Sequence, residues 1–208
     1  SDDGLRYAFT LREGVKFHNG DPVTMQDLLY SVERRWNSDD TAAILSALSV
    51  IDKVEADGNV LTITLSEPSN EFLAAVMNAY ILPAGYTAQE TAPVGTGPYK
   101  FVSRSVQDSL VLERFDDYWG APAKIGSVTL KILESADGLV LGLQSGALDL
   151  VAHLSSDQTV QLSASDFHIE EGSMNLVQAL YLNNAEKPFD DVRVRQALCY
   201  AVDKQAVI

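Results

Sequence analysis

Apolar and polar side chains alternate along the first residues of the chain. Every second position of the segment 5–11 is apolar, which predicts a β-strand with one buried face. The apolar positions are Leu5, Tyr7, Phe9 and Leu11. The Asp2-Asp3-Gly4 stretch before them is typical of a hairpin tip, so we expect a preceding strand in a longer protein.

A helical spacing of apolar residues follows the turn at His18–Pro22. Thr24 is a suitable N-cap, and Asp27 occupies the third helical position, as in a capping box. Apolar residues then recur every three or four positions, which predicts one buried helix face. Its members are Met25, Leu28, Leu29, Val32 and Trp36.

A second hairpin is predicted around Asp57-Gly58-Asn59, because Asp-Gly tolerates the positive φ that tight turns require. Its strands should run over 51–54 and 60–65. Apolar residues at helical spacing over 72–77 then indicate a short helix. Two further strands are predicted at 99–102 and 109–114.

Beyond residue 122 the pattern changes from hairpins to alternating strands and helices. A strand over 128–132 should precede a helix from about Ser135 to Ser145, with Gly146 as its C-cap, and 148–151 indicates another strand. A strand is also predicted over 177–182, followed by a helix capped by Asp190 or Asp191. The inward positions of that helix are Val194, Ala197, Leu198, Ala201 and Val202.

This change of pattern predicts an α/β protein with more than one domain. The hairpin-rich part should form a mixed α+β domain, and the alternating part should contain a strand-helix-strand unit. We expect the apolar faces of the first domain to share one core. Its members should be Tyr7, Phe9, Leu11, Leu28, Val32, Trp36, Leu61, Ile63 and Tyr99.

Charge excludes two classes of partner for this 208-residue chain. Its 29 acidic residues outnumber 15 Lys and Arg, giving a net charge of −14, so nucleic acids and anionic membrane surfaces would be repelled. The single cysteine, Cys199, cannot form an intramolecular disulfide. No apolar run approaches the ~18 residues of a membrane helix, and the first residues do not resemble a signal peptide.

Motifs for catalysis and metal binding are weak. The glycines of 94–100 suggest a phosphate loop, but the terminal Gly-Lys-Ser/Thr is absent, which favours a tight turn into a strand. Ser145 does not occupy a Gly-x-Ser-x-Gly elbow. The three histidines, His18, His153 and His168, lack metal-ligand spacing, so we expect no metal site and ordinary roles for all three.

The remaining reactive side chains also favour structural interpretations. The paired carboxylates at 116–117 and 170–171 lie in polar stretches and should be solvated, and Cys199 should be a small packing residue. Tyr118-Trp119 should close the end of a core rather than stack on a ligand. Tyr181 differs because it lies at a junction between domains, where small-ligand clefts form. We predict no catalytic residue and no cofactor.

Blocks of sequence that occur together in one known family cover nearly the whole chain. They are Ser1–Leu5, Tyr7–Gly20, Pro22–Thr24 with Asp27, Tyr30-Ser31, Glu33-Arg34, Pro93–Phe101, Glu113–Gly120, Leu143–Gly146 with Asp149, and Lys187–Ala197. In this order the chain resembles the extracytoplasmic solute-binding proteins of peptide and nickel type, family 5 of the ABC-transporter binding proteins. Gly138 and Gly142 depart from the family, which usually has better helix formers there.

The resemblance implies a two-lobed protein that closes about a hinge, so the chain should be an internal fragment. Residues 1–124 would be a hairpin-rich accessory domain packed on the first lobe, and 125–178 part of that lobe, of the periplasmic-binding-protein type II fold. Residues 179–208 would be the hinge crossing and the start of the second lobe. The changes in the pattern of predicted strands and helices near residues 122 and 177 fall at the same places.

The candidate ligand-binding residues are Leu180, Tyr181, Asn183 and Asn184, because the matching segment lines the cleft in relatives. Two amides can satisfy the backbone of a crossing chain. Tyr181 offers a flat ring with a hydroxyl at its tip, suited to stacking on a ligand while hydrogen-bonding it. The alternative is that Tyr181 packs beneath the hinge.

The resemblance also implies function and partners. A monomer in the periplasm, or anchored outside the membrane of the cell, would capture a small solute and deliver it to ABC permease membrane subunits. Oligopeptide or dipeptide is the default ligand, and a nickel chelate, an oligosaccharide or another small solute remains open. The alternatives are a ligand-binding sensor or peptide-chaperone lobe on the same scaffold and, less favoured, a carboxylate-dependent hydrolase.

Overall fold

The chain divides into two units, residues 1–141 and residues 142–208. The computed structural model describes residues 3–37, 47–133, 135–162, 166–172 and 179–203. The strands are β1 (Arg6–Thr10), β2 (Ile51–Asp57), β3 (Val60–Leu65), β4 (Tyr99–Ser105), β5 (Ser109–Arg114) and β6 (Ser127–Lys131). The helices are α1 (Met25–Trp36), α2 (Phe72–Val76), α3 (Ala136–Gln144), α4 (Ser156–Thr159) and α5 (Val192–Ala201). The mixture of helix and sheet confirms the predicted fold class.

The first sheet is antiparallel, with strand order β1-β3-β2. Gly58, at the tip of the β2–β3 hairpin, has φ of 57°, a left-handed conformation that glycine adopts without a Cβ clash. Strands β1 and β3 are antiparallel, and their register places Tyr7 opposite Ile63 and Phe9 opposite Leu61. Both predicted hairpin strands are therefore confirmed, and the alternating apolar residues of β1 and β3 fall on the same face of the sheet.

The core of the first unit lies between this sheet and helices α1 and α2. Ile63 and Phe72 are fully buried, and Val32 and Leu61 are nearly so. Tyr7, Phe9, Leu28 and Trp36 pack on this cluster while remaining partly exposed. Seven of the nine predicted core members are thereby confirmed.

Leu11 and Tyr99 do not belong to that core, and here the prediction is wrong. Tyr99 begins β4, in a second antiparallel sheet of order β4-β5-β6, where its hydroxyl donates to the Ile125 carbonyl oxygen at 3.0 Å. Leu11 lies beyond the last residue of β1 and lines a surface cavity. Apolar alternation along a strand predicts a shared face but does not predict which of two sheets the strand joins.

A buried carboxylate joins α1 to the irregular segment that follows α2. Asp27 Oδ2 accepts from the Thr24 backbone N–H at 2.8 Å, which confirms the predicted capping box, and Oδ1 accepts from the Ala84 N–H at 2.7 Å. One turn later, the Ser31 hydroxyl oxygen accepts from the Leu82 N–H at 2.9 Å. Asp27 and Ser31 are both buried, so α1 fixes the 82–84 segment through polar contacts inside the protein.

Replacing Asp27 with alanine should lower the free energy of unfolding by about 2 kcal/mol, since a cap and a buried charge-assisted hydrogen bond are both lost. Denaturant titration of the full-length protein measures this loss. Asp116→Ala is the matched control, because the Asp116 side chain is 79% exposed and pairs with the Arg114 guanidinium at the surface. The control should cost less than about 1 kcal/mol; equal losses for the two variants would contradict the buried clamp.

The end of α3 and the loop after it form a close contact at a glycine. Helix α3 begins with the Ser135 hydroxyl oxygen accepting from the Gly138 N–H at 3.1 Å, and it closes at Gly146 with φ of 72°, as predicted. A Cβ on Gly142 would lie 2.6 Å from the Leu148 side chain. Gly142 is therefore a packing residue, which accounts for the departure from better helix formers at this position.

Three predictions for the last part of the chain are wrong or lie outside the described residues. Residues 148–151 form no strand, because no strand in the part of the chain that the structure describes pairs with them. Residues 179–182 are also not a strand, and 177–178 lie outside the described residues. Helix α5 forms and is capped by Asp191, but none of its side chains is buried. An apolar helix face is buried only where another element covers it.

Candidate functional site

The candidate ligand-binding residues lie together on an open stretch of backbone before α5. Tyr181 is 92% exposed and Leu180 is 72% exposed. Asn183 and Asn184 are exposed as well. The Asn183 side-chain oxygen accepts from the Ala185 N–H at 3.1 Å, so this amide caps a turn as predicted for a chain that leaves an extended segment.

The turn that follows is held by arginine and aspartate side chains. Arg195 Nη1 donates to the Phe189 carbonyl oxygen at 2.6 Å. Asp191 accepts from the Arg193 backbone N–H at 2.8 Å and pairs with the Arg193 guanidinium at 2.6 Å. Chiefly through that guanidinium, and then through the backbone N–H, Arg193 holds the pKa of Asp191 below its ordinary value. The exposed 180–184 segment therefore enters a turn whose geometry is fixed.

This arrangement can bind a ligand but offers no activated nucleophile. A freely accessible phenol ring can stack and hydrogen-bond, and two neighbouring amides can both donate and accept. Among the described residues, no group of three His, Cys, Asp or Glu side chains is placed to hold a metal ion. Whether the four residues contact a ligand stays a prediction.

Other candidate residues from the sequence are placed by the structure in surface contacts. Asp116 pairs with Arg114 and Asp117 with Lys16, at 2.7 and 2.8 Å. Ser145 Oγ donates back to the Gly142 carbonyl oxygen at 3.2 Å. Cys199 is exposed, so the prediction of a packing role is wrong; it lies on a face of α5 that no other described element of its unit covers.

Tyr118 and Trp119 are adjacent rings with centroids 5.0 Å apart. Trp119 is 44% exposed, and its Nε1 donates to the Thr96 carbonyl oxygen at 3.1 Å. The Arg12 guanidinium lies 4.7 Å from the Trp119 ring centroid, within the range of a cation–π contact. Trp119 therefore joins the segment after β1 to the 95–97 turn, and these contacts lie within the protein, in line with a packing role for the pair.

His18 has a specific role that its sequence position does not reveal. Its Nδ1 accepts from the Gly95 N–H at 3.2 Å, and its Nε2 lies 3.1 Å from the Gly97 carbonyl oxygen. The ring also packs edge-on against Phe115, with centroids 5.1 Å apart. The expectation of three ordinary histidines is wrong for His18, because its partners lie 77 and 79 residues away and spacing gives no signal.

Small cavities lie in the described part of the first unit, and two of them involve residues discussed above. One, of about 240 Å³, is lined by residues 11–16 with Pro22, Val23 and Asn59. The other, of about 160 Å³, is lined by His18, Asn19, Tyr86, Ala92–Val94, Lys100 and Phe101. Both are smaller than the roughly 300–1,000 Å³ of common small-molecule pockets, and neither is lined by the four candidate residues.

Comparison with known proteins gives a family and a fold. A family model described as bacterial extracellular solute-binding proteins, family 5 Middle, matches residues 1–208. The glutathione-binding protein GsiB of Pectobacterium atrosepticum is 34% identical, with 100% of this chain and 42% of that protein aligned. Heme-binding protein A of Haemophilus influenzae is 31% identical, again with 100% of this chain and with 44% of that protein aligned.

Solved structures of other solute-binding proteins also match this chain in fold. NikZ of Campylobacter jejuni in complex with Ni(L-His) superposes with a TM-score of 0.87 at 26% identity, covering 100% of this chain and 44% of that one. DppA of Helicobacter pylori in complex with the peptide STSA gives a TM-score of 0.66 at 28% identity, covering 78% of this chain and 38% of that one. The chain thus spans less than half the length of the relatives it matches.

Proposed function

We propose a function for this chain from one premise: it belongs to the bacterial extracellular solute-binding proteins of family 5. Family 5 proteins are extracytoplasmic and bind solutes for ABC transporters. In the part of the chain that the structure describes, no helix has both the length and the apolar character that a membrane span requires. The observation that carries the proposal is the match of the family model along all 208 residues.

The proposed activity is capture of an oligopeptide or dipeptide outside the cytoplasm and its delivery to ABC permease subunits. A peptide ligand is supported by the DppA complex with STSA and by the name of the glutathione-binding relatives. The candidate segment suits a peptide, because amide side chains pair with peptide groups and an aromatic ring covers apolar side chains. We further propose that the protein acts as a monomer and that the domain boundaries fall near 124 and 178.

Mass spectrometry of the compound that co-purifies with the full-length protein tests this function. A peptide released on denaturation supports the proposal. Calorimetry should then rank four probes: that peptide, glutathione, heme and Ni(L-His). Tight binding of heme or Ni(L-His) alone would overturn the peptide assignment while leaving solute capture in place. Product analysis after incubation should return the peptide intact, since a binding protein needs no activated nucleophile.

The 208-residue chain alone should bind the peptide far more weakly than the full-length protein. A cleft between two lobes encloses its ligand only when the lobes close. One side of the cleft alone therefore cannot form most of the contacts with the ligand. Calorimetry on both forms with the same peptide measures the difference. Equal affinities would show that the ligand site lies wholly within residues 1–208 and that the proposed domain boundaries are wrong.

A further inference from the structure

His18 and the 95–97 turn form a reciprocal set of hydrogen bonds. The His18 backbone N–H donates to the Gly95 carbonyl oxygen at 2.9 Å, and the Gly95 N–H donates back to His18 Nδ1 at 3.2 Å. On the far side of the ring, Nε2 lies 3.1 Å from the Gly97 carbonyl oxygen. A carbonyl can only accept, and a backbone N–H can only donate, so the imidazole carries its proton on Nε2 and a lone pair on Nδ1.

We propose that His18 is an acid-sensitive latch, which holds the 95–97 turn against the 17–21 turn in full only while its imidazole is neutral. A second proton would have to occupy Nδ1, where the Gly95 N–H now points. Two donors would then face each other, and the Gly95 hydrogen bond would be lost. The bonds to the Gly95 and Gly97 carbonyl oxygens need no change of protonation and persist.

The surroundings of the ring oppose its protonation. Burial lowers the pKa of His18 below its ordinary 6.5, and the positive charge of Lys100 lowers it further, while the contact with the Gly97 oxygen raises it. Lys100 itself pairs with Glu113 at 2.9 Å. Phe115 packs edge-on against the ring, and its apolar surface disfavours a charge on that side of the imidazole.

Among the described residues, the carboxylates next to His18 and Phe115 in the sequence each bond to another side chain. Asp21, in the same turn, accepts from the Asn19 side chain at 2.7 Å. Asp116 and Asp117, which follow Phe115, accept from Arg114 and Lys16. Each of these carboxylates therefore already has a partner, and the charged group that acts on the imidazole is the cation of Lys100.

The latch lies where acid would reach it. Family 5 proteins are extracytoplasmic, so the pH around the chain follows that of the surrounding medium, and histidine is the side chain whose charge changes over pH 5–8. Because folding lowers the pKa of His18, the unfolded chain takes up the proton first. The stabilisation from His18 is complete above pH 6.5 and is lost as pH falls from 6.5 through the folded pKa.

Release of the latch would loosen one further hydrogen bond and part of the lining of one cavity. The 95–97 turn includes Thr96, whose carbonyl oxygen receives the Trp119 indole N–H. His18 also lines the 160 Å³ cavity together with Pro93 and Val94. Acid should therefore increase the exchange of the backbone amides of residues 94–97 without unfolding the sheets on either side.

Amide exchange of the full-length protein labelled with ¹⁵N-glycine tests the latch. After correction for the intrinsic pH dependence, protection of the Gly95 amide should fall about tenfold between pH 7.5 and 5.0. The internal control is the Gly146 amide, which lies outside both turns and donates to the Leu143 carbonyl oxygen at 3.1 Å, an acceptor that does not titrate. His18→Asn offers a non-titrating oxygen near the Nδ1 position, so Gly95 should stay equally protected at both pH values.

Imidazole ¹⁵N chemical shifts of the wild-type protein provide a test that needs no variant. Nδ1 should be unprotonated at pH 7.5, and the midpoint of the His18 titration should lie below the ordinary histidine value of 6.5. The latch is overturned if Nδ1 carries the proton at pH 7.5. It is also overturned if Gly95 protection does not fall in acid, or falls equally in wild type and His18→Asn.

Discussion

Replacing Phe72 with alanine should lower the free energy of unfolding by about 3–5 kcal/mol, the range for removal of a fully buried aromatic ring. Phe72 is 0% exposed, and its ring centroid lies 4.6 Å from that of Tyr7. The ring therefore connects helix α2 to strand β1 within the main core. Its removal leaves a cavity that a close-packed interior closes only in part. Denaturant titration of the full-length protein measures the loss.

Leu73 provides the matched control for this prediction. It is the next residue of the same short helix, but it is 49% exposed, so Leu73→Ala should cost less than about 1 kcal/mol. Both substitutions leave a good helix former, which keeps the helix propensity favourable. A similar loss for the two variants would show that α2 is stabilised by its helical backbone and not by the burial of Phe72.

Local chemistry predicted the elements of the first unit well. The Asp-Gly turn specified the β2–β3 hairpin, and Thr24 with Asp27 specified the start of α1, because each signal lies within four residues of the structure it determines. Tyr99 shows where local pattern is insufficient. Its alternation is correct for a strand, yet membership of the first or the second sheet depends on contacts between distant segments.

The strand predicted at 148–151 does not form, for a related reason. Its apolar residues suit a strand, but a strand forms only when a neighbour supplies hydrogen bonds to its backbone. Leu150 is 78% exposed in the structure. Helix α5 shows the converse case, because its cap at Asp191 is local and correct, whereas burial of its apolar face depends on other elements and was predicted wrongly.

The candidate site and the contacts of the first unit also include features that local sequence predicts and features that it does not. The open segment before α5 was proposed as a ligand site from residue types and from a family resemblance, and the amide cap at Asn183 followed from local chemistry. The role of His18 could not be found, since its partners lie 77 residues or more along the chain. The clamp between Asp27 and Ala84 likewise spans 57 residues. Polar contacts at such separations leave no periodic signal in one sequence.

Replacing Tyr181 with alanine should weaken peptide binding by about 1–3 kcal/mol, roughly a 5- to 150-fold rise in Kd, with little change in Tm. The ring is 92% exposed. In the described part of this chain it is therefore not packed under other residues, and its removal creates no cavity. The ring is therefore free to stack on a ligand, and its hydroxyl can hydrogen-bond one. Calorimetry on the full-length protein, with the co-purified peptide as ligand, measures the change in Kd.

Tyr200 is the matched control, because it is a tyrosine of the same unit that is 91% exposed and lies outside the candidate segment. Tyr200→Ala should leave Kd within about twofold, so any general effect of losing an exposed ring is subtracted. Tyr181→Phe separates the two roles of the side chain: stacking survives, and only the hydrogen bond of the hydroxyl is lost. A large fall in Tm for Tyr181→Ala, with unchanged affinity in the folded fraction, would assign the ring to packing beneath the hinge and remove it from the ligand site.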